Sequence, residues 1–596
     1  MLRNPSGSRR PMAIVLAALA SLILIAQSTL AAGPPEKAGP GLQNALDQLN
    51  QRAPAYGLAN HAPPGDPSGA PIAEGFEVIG HNALGGRDAS GDVWVHGDFA
   101  YVGTWANPCT GRGVKIIDVS DPTAPQVIGA AAARRGTSAE DMVVRSVETD
   151  WFTGDLMVVG IQRCGGQGGP FATYGAEFWD VTDPYHPQRL SRFGITNGGG
   201  GAHEVDLIQR GDNVYAALAL PFSEWFDPVP VGDVAIVDVT DPQNPSLVSE
   251  WGVADNSPPQ PGPFYGTGSF GAAFGHSVRF SEDGNTLYAS YWDRGVITLD
   301  ISDVAEPLEV IATQYPPLQD GDLHSLTPYE DESGQYLLTN DEDFDPRSPA
   351  QVTYGVAGVG VATESPFTPA LWDVGPSLTA DVVMPDDEGC DPADYDGLDA
   401  NGAIVVVQTP FSFFADAGAL CPMSVQDGLA EENGAAAVVH RFDSPDTSPQ
   451  WFDFSEATIP VLFTDVDTAD GMVGAGEATL EAQVPTWGFL RVFDAATGLQ
   501  VSQFDGVPNI NDLSKAGDGF WSIHNTEVSG TTAYVSWYTN GIVALDLDPI
   551  TDIEKIGQFV PPGEPFAEVW GVAIGEDGLI YVSDLGSGLW IIQPDF

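Results

Sequence analysis

The stretch VKIIDVSDPTAPQVIG (114–129) decides the fold, because it returns along the chain as AEFWDVTDPYHPQRLSRFG (176–194), VAIVDVTDPQNPSLVSEWG (234–252) and VITLDISDVAEPLEVIA (296–312). Looser copies follow at 489–504, 542–559 and 588–596, about seven in all. Each copy is an apolar strand, an aspartate, a turn and a further strand. Upstream of most copies lie two more short strands joined by a Gly, Asp or Asn turn, as in HEVDLIQRGDNVYAAL (203–218) and HSVRFSEDGNTLYASYW (276–292). Four short strands per unit cannot bury their faces alone and must pack on neighbouring units. The expected fold is therefore all-β, a propeller of about seven blades. GFEVIGHN (75–82) precedes the first inner strand and the last unit stops at Phe596, so the two ends of the chain are expected to complete one blade.

The turn phrase at Asp118 to Pro122, Asp180 to Pro184 and Asp238 to Pro242 resembles the LVIVD repeat family over most of 75–345 and 487–596. The resemblance implies an extracellular propeller and no common activity. The phrase itself reads as structural: aspartate accepts main-chain hydrogen bonds and proline presets the turn.

The spacing breaks once. Between QYLLTN (335–340) and FLRVFD (489–494) lies a segment with its own apolar strands, IVVVQ (404–408), AAVVH (436–440) and IPVLF (459–463), and a helical stretch over 425–433. With Gly389-Cys390 and Cys421 it resembles the protease-associated (PA) domain over about 365–485. The resemblance implies a noncatalytic α/β insert that binds peptides or gates a neighbouring site. The expected organisation is a signal peptide over 1–32, a disordered linker over 33–72, propeller over 73–364, the PA insert over 365–486, and the rest of the propeller over 487–596.

The 69 Gly and 48 Pro in 596 residues fit many short strands and turns. Arg3, Arg9 and Arg10, an apolar run over 12–26, and Ala31-Ala32 have the layout of a cleavable export signal. Nothing comparable follows, so the mature chain is expected to be secreted, extracellular or periplasmic, without membrane insertion and monomeric. With 82 acidic against 22 basic residues the net charge is −60, which excludes nucleic acid and anionic lipid as partners and leaves cations, proteins or peptides. Four cysteines in an exported chain are expected to pair, Cys109 with Cys164 and Cys390 with Cys421.

Alignment of the units puts His203, His276, His324 and His524 at one position, the start of the first strand in four successive blades. First strands line a propeller's channel, so four of the chain's nine histidines should ring one mouth of it. In one reading each imidazole ties its blade to the next by a hydrogen bond. In the other they converge on copper, zinc or iron. Glu204 and Asp322, with Asp341, Glu342 and Asp343 after a second strand, are candidate partners of the histidines or holders of calcium. No hydrolase nucleophile motif is present. Two functions follow: an exported binding or scaffold protein presenting the insert to a protein or peptide, or a metal-dependent enzyme, an oxidoreductase foremost, using the histidine ring.

Overall fold

The computed structural model describes residues 70–596 apart from 86–88, 106–110, 135, 164–173, 196–199, 222, 224–231, 254–273, 314, 316–317, 320, 344–346, 366, 409–421, 443–454, 456, 513–514, 516–517 and 564. Seven antiparallel sheets form the blades of a propeller, and their innermost strands, in order, are Ser90–His96, Met142–Glu148, Val205–Arg210, Gly275–Phe280, Leu323–Asp331, Thr526–Ser529 and Val569–Ile574. Each inner strand touches the next, and the seventh touches the first, so the ring closes.

The recurring turn phrase does the same work in the first four blades. Asp118 Oδ1 accepts from the Ser120 main-chain N–H at 3.0 Å and Asp121 Oδ1 from that of Thr123 at 3.1 Å. The pattern repeats at Asp180 and Asp183, Asp238 and Asp241, and Asp300 and Asp303. Just before the phrase the third strand slips register against the fourth, between Ile116 and Ile117, Phe178 and Trp179, Ile236 and Val237, and Thr298 and Leu299. One bulge per blade at one place adds the twist a propeller blade needs. The third strands are buried, Ile116, Phe178, Ile236 and Leu299 among them, and the core lies between blades, as where Val158 and Phe178 of the second meet Leu207 and Val237 of the third.

The two ends of the chain meet in the seventh blade, where Phe76–Asn82 pairs antiparallel with Gly588–Pro594 as its outermost strand. Just before it, Ile72–Glu74 adds an edge strand to the sixth blade. Residues 1–69, which hold the expected signal and nearly all of the linker, lie outside the described residues. No helix among the described residues is long and apolar enough to cross a membrane.

The insertion leaves the fifth blade between Gly334–Asp341 and Leu490–Asp494, which pair with each other. It is a closed seven-stranded barrel with two ten-residue helices, Met423–Glu432 and Val466–Ala475. It begins earlier than the expected residue 365. Ala350–Tyr354 pairs with Gly358–Glu364 and with Glu477–Glu481, so these two strands belong to the barrel and not to the propeller. The hairpin's short apolar strands resemble those of a blade, and only the pairing tells them apart. Cys109, Cys164 and Cys421 lie outside the described residues, so neither expected disulfide pairing is described.

Candidate metal centre at the inner strands

At the start of each inner strand two residues face one on the neighbouring strand. The register jumps between Ser90 and Val93, Gly275 and Ser277, Leu323 and Ser325, and Val569 and Gly571. In the third and sixth blades the same geometry shows in main-chain bonds: Ala219 pairs with both His203 and Glu204, and Ser536 with both His524 and Asn525, at 2.8–2.9 Å. A bulge of this kind re-aims a side chain. Around the ring the re-aimed position holds Gly91, Glu140, His203, His276, His324, His524 and Trp570.

The four histidines come together as the sequence predicts, and each is at most 7 % exposed. Successive ring centroids lie 4.3, 4.2 and 3.8 Å apart, and Trp570 continues the series 4.2 Å from His524. Trp570 Nε1 donates to Glu140 Oε1 at 2.8 Å, and Glu140 Oε2 lies 2.9 Å from His203 Nδ1. His203 Nε2 then meets His276 Nε2 at 2.9 Å. Glu204 Oε1 sits between the next two rings, 3.7 Å from His276 Nδ1 and 3.6 Å from His324 Nε2, and Glu342 Oε2 lies 3.8 Å from His324 Nε2. Tyr538 donates its hydroxyl to Glu342 Oε1. The Nδ1 atoms of His203, His276 and His324, both ring nitrogens of His524, Glu140 Oε2 and Glu204 Oε1 lack a hydrogen bond of good geometry.

Burial sets the protonation states. It holds His276, His324 and His524 well below the ordinary histidine range, and neighbouring imidazoles push the same way, so these rings are neutral. Glu204 is pushed well above the usual carboxylate range by burial first, then by Asp141, Asp92 and Glu140. Glu342 is raised by burial against the opposing hydrogen bond from Tyr538, and Asp141 rises to about 7 although the Val205 N–H bonds it at 2.7 Å.

Two groups of donor atoms converge. His203, Glu204, His276 and His324 each offer an atom within 4.8 Å of the others, and so do His324, Glu342 and His524. If His203 carries its proton on Nδ1, towards Glu140, its Nε2 is an acceptor and His276 donates from Nε2, which leaves the His276 Nδ1 lone pair facing Glu204, a carboxyl held towards its protonated form. With an ion between the two Nε2 atoms, both rings would instead carry their protons on Nδ1, towards Glu140 and Glu204. Two nitrogens about 2.0–2.1 Å from one ion and 2.9 Å apart subtend about 90° at it.

The remaining acidic candidates divide. Asp341 is not brought to the histidines; Arg491 takes it in a buried ion pair, with the guanidinium stacked 4.5 Å from the Phe489 ring centre. Burial still raises Asp341, to about 6, against the pull of Arg491. Asp322 and Asp343 are buried but belong to neither donor group, and the main-chain carbonyl of Asp322 accepts from the Glu342 N–H at 2.7 Å. From the sequence, Glu140 belongs with the rim acids that could orient the histidines or hold a cation, while Trp570 and Gly91 were missed. The signal was available: A-E-D-M-V and E-V-W-G-V align with the histidine strands, with glutamate and tryptophan in the histidine column.

The LVIVD repeat matches residues 86–132. No curated protein matches the chain. Among solved structures it is similar to the periplasmic gluconolactonase PpgL of Pseudomonas aeruginosa, at 12% identity and a TM-score of 0.41 over 83% of this chain and 90% of that one. It is similar also to the computationally designed Ika8 protein, at 9% and 0.36 over 87% and 99%. A smaller part resembles BSAP, a zinc aminopeptidase from Bacillus subtilis, at 18% and 0.19 over 26% and 35%. At such scores these likenesses carry no argument about activity, and the reading of the site rests on its own geometry.

Proposed function

We propose that this chain is an exported, metal-dependent propeller protein whose working centre is a transition-metal ion held by the histidine ring, with oxidoreductase chemistry as the first class to assay. The observation that carries this reading is the 2.9 Å approach of His203 Nε2 to His276 Nε2, with the far nitrogen of His203 backed by Glu140. Purely structural histidines would each be held by the next blade; the Trp570 main chain does approach His524, but neither ring nitrogen of His524 makes a hydrogen bond of good geometry. Neutral imidazoles with carboxylates suit copper, zinc or iron. Bound there, such an ion supplies Lewis acidity or redox chemistry. The protein's own part is to orient His203 through Glu140, to keep the rings of His276, His324 and His524 neutral, and to shield the site with Trp105, Trp292 and Trp570.

A second reading, a scaffold that presents the insert to peptides, is favoured by the barrel's separate core and by Val356 and Val359, which stand exposed at its hairpin. In that reading the insert is a PA domain and the histidines serve stability alone.

Elemental analysis of the mature protein, purified without chelator, separates the two. At least one copper, zinc or iron per chain is expected, absent from a folded His276→Ala/His324→Ala variant. No transition metal after attempted reconstitution would overturn the metal reading and leave the scaffold.

A further inference from the structure

We infer that the ring is a dinuclear site: His203 and His276 hold one ion, His324, His524 and Glu342 hold a second, and Glu204 lies between them. This deepens the metal reading and rests on it.

The first argument is the number of donors. A catalytic four-coordinate ion takes three protein ligands and keeps one position open. Four imidazoles and two carboxylates are twice that set. If one ion took His203, Glu204, His276 and His324, then His524, which is fully buried, would keep two ring nitrogens without a hydrogen bond of good geometry. Burying polar atoms in that state is costly.

The second argument is position. His324 Nε2 lies between the two carboxylates, 3.6 Å from Glu204 and 3.8 Å from Glu342, and its single lone pair can serve one ion only. Assigning it to the second ion leaves two imidazoles to the first and three donors to the second, with Glu204 Oε1 between them.

The third observation is the lining. Asp92, Glu140, Asp141, Glu204 and Glu342 crowd this end of the inner strands, and three of the five, Asp92, Glu140 and Glu342, are at most 7 % exposed. Hydrogen bonds tie the outer members in place: Asn525 Nδ2 donates to Asp92 at 2.7 Å, and the Val205 N–H to Asp141.

The test is a count. Intact mature protein is stripped with chelator, reloaded with Zn²⁺ or Mn²⁺, freed of excess metal and measured for ions per chain. Mn²⁺-loaded protein is also examined by electron paramagnetic resonance. Two ions and a spin-coupled manganese signal are expected. Glu342→Gln, which keeps side-chain shape, and His524→Ala should each retain one ion and give an uncoupled signal. One ion in the wild-type protein, or two that survive both substitutions, would overturn the second seat and leave the metal reading standing. Zero ions would overturn both.

Discussion

Two halves of one ring use the same backbone position differently. In blades three to six the re-aimed residue is histidine, while in blades seven, one and two it is Trp570, Gly91 and Glu140. The histidine half offers donors. The other half is a brace: Trp570 reaches past the side-chain-free position of blade one to hold Glu140, whose Oε2 lies 2.9 Å from His203 Nδ1. Gly91 makes room for this arrangement, since a Cβ there would lie 2.9 Å from the Glu140 carbonyl oxygen and 3.0 Å from its Cγ. A repeat fold thus supplies seven equivalent places, and chemistry arises from how unequally they are filled.

Breaking the brace at its narrowest point should have the largest effect. Gly91→Ala forces Glu140 or its strand to move. It should cost about 1–3 kcal/mol in denaturant unfolding and weaken metal binding about 10–100-fold, because Glu140 orients a ligand. If metal affinity is unchanged while stability falls, Glu140 does not orient His203.

Trp570→Phe is gentler. It keeps an aromatic ring beside His524 but removes the N–H from Glu140, leaving a buried carboxylate oxygen unpaired at a cost of about 1–3 kcal/mol. Calorimetric titration should show weaker binding at the His203 side and little change at the His524 side. Equal loss at both would argue against the division of the ring.

The smallest effect lies far from the ring, in the blade turns. The Ser120 hydroxyl, the Tyr185 hydroxyl and the Ser120 N–H hold Asp118 below the usual carboxylate range. Main-chain and side-chain bonds from Ser302 do the same for Asp300, and those from Thr497 for Asp494. A carboxyl whose folded pKa is depressed contributes stability above its unfolded pKa and loses it as pH falls through the folded one. The loss should therefore set in below about pH 4. Asp300→Asn should flatten that limb of a stability-against-pH curve slightly; an unchanged curve would mean the turn carboxylates contribute nothing as charges.

Much of this was legible in order along the chain. Blade number, the turn phrase, the shared terminal blade and the histidine column all follow from patterns that repeat within a few residues, because strand alternation and turn chemistry are local. The start of the insertion was not legible, since Ala350–Tyr354 reads as a blade strand until its partner Glu477–Glu481 is known. Nor were the partners of the acidic residues. Asp341 and Glu342 are neighbours in sequence, yet one turns to Arg491 and the other to His324 and Tyr538. Glu140 meets a tryptophan 430 residues away. By itself the sequence determined which backbone positions face the channel, because that depends on strand period and bulge. Only the tertiary structure decided which side chains meet there, because ring closure brings the first blades against the last and lets each buried polar group choose among partners from distant parts of the chain.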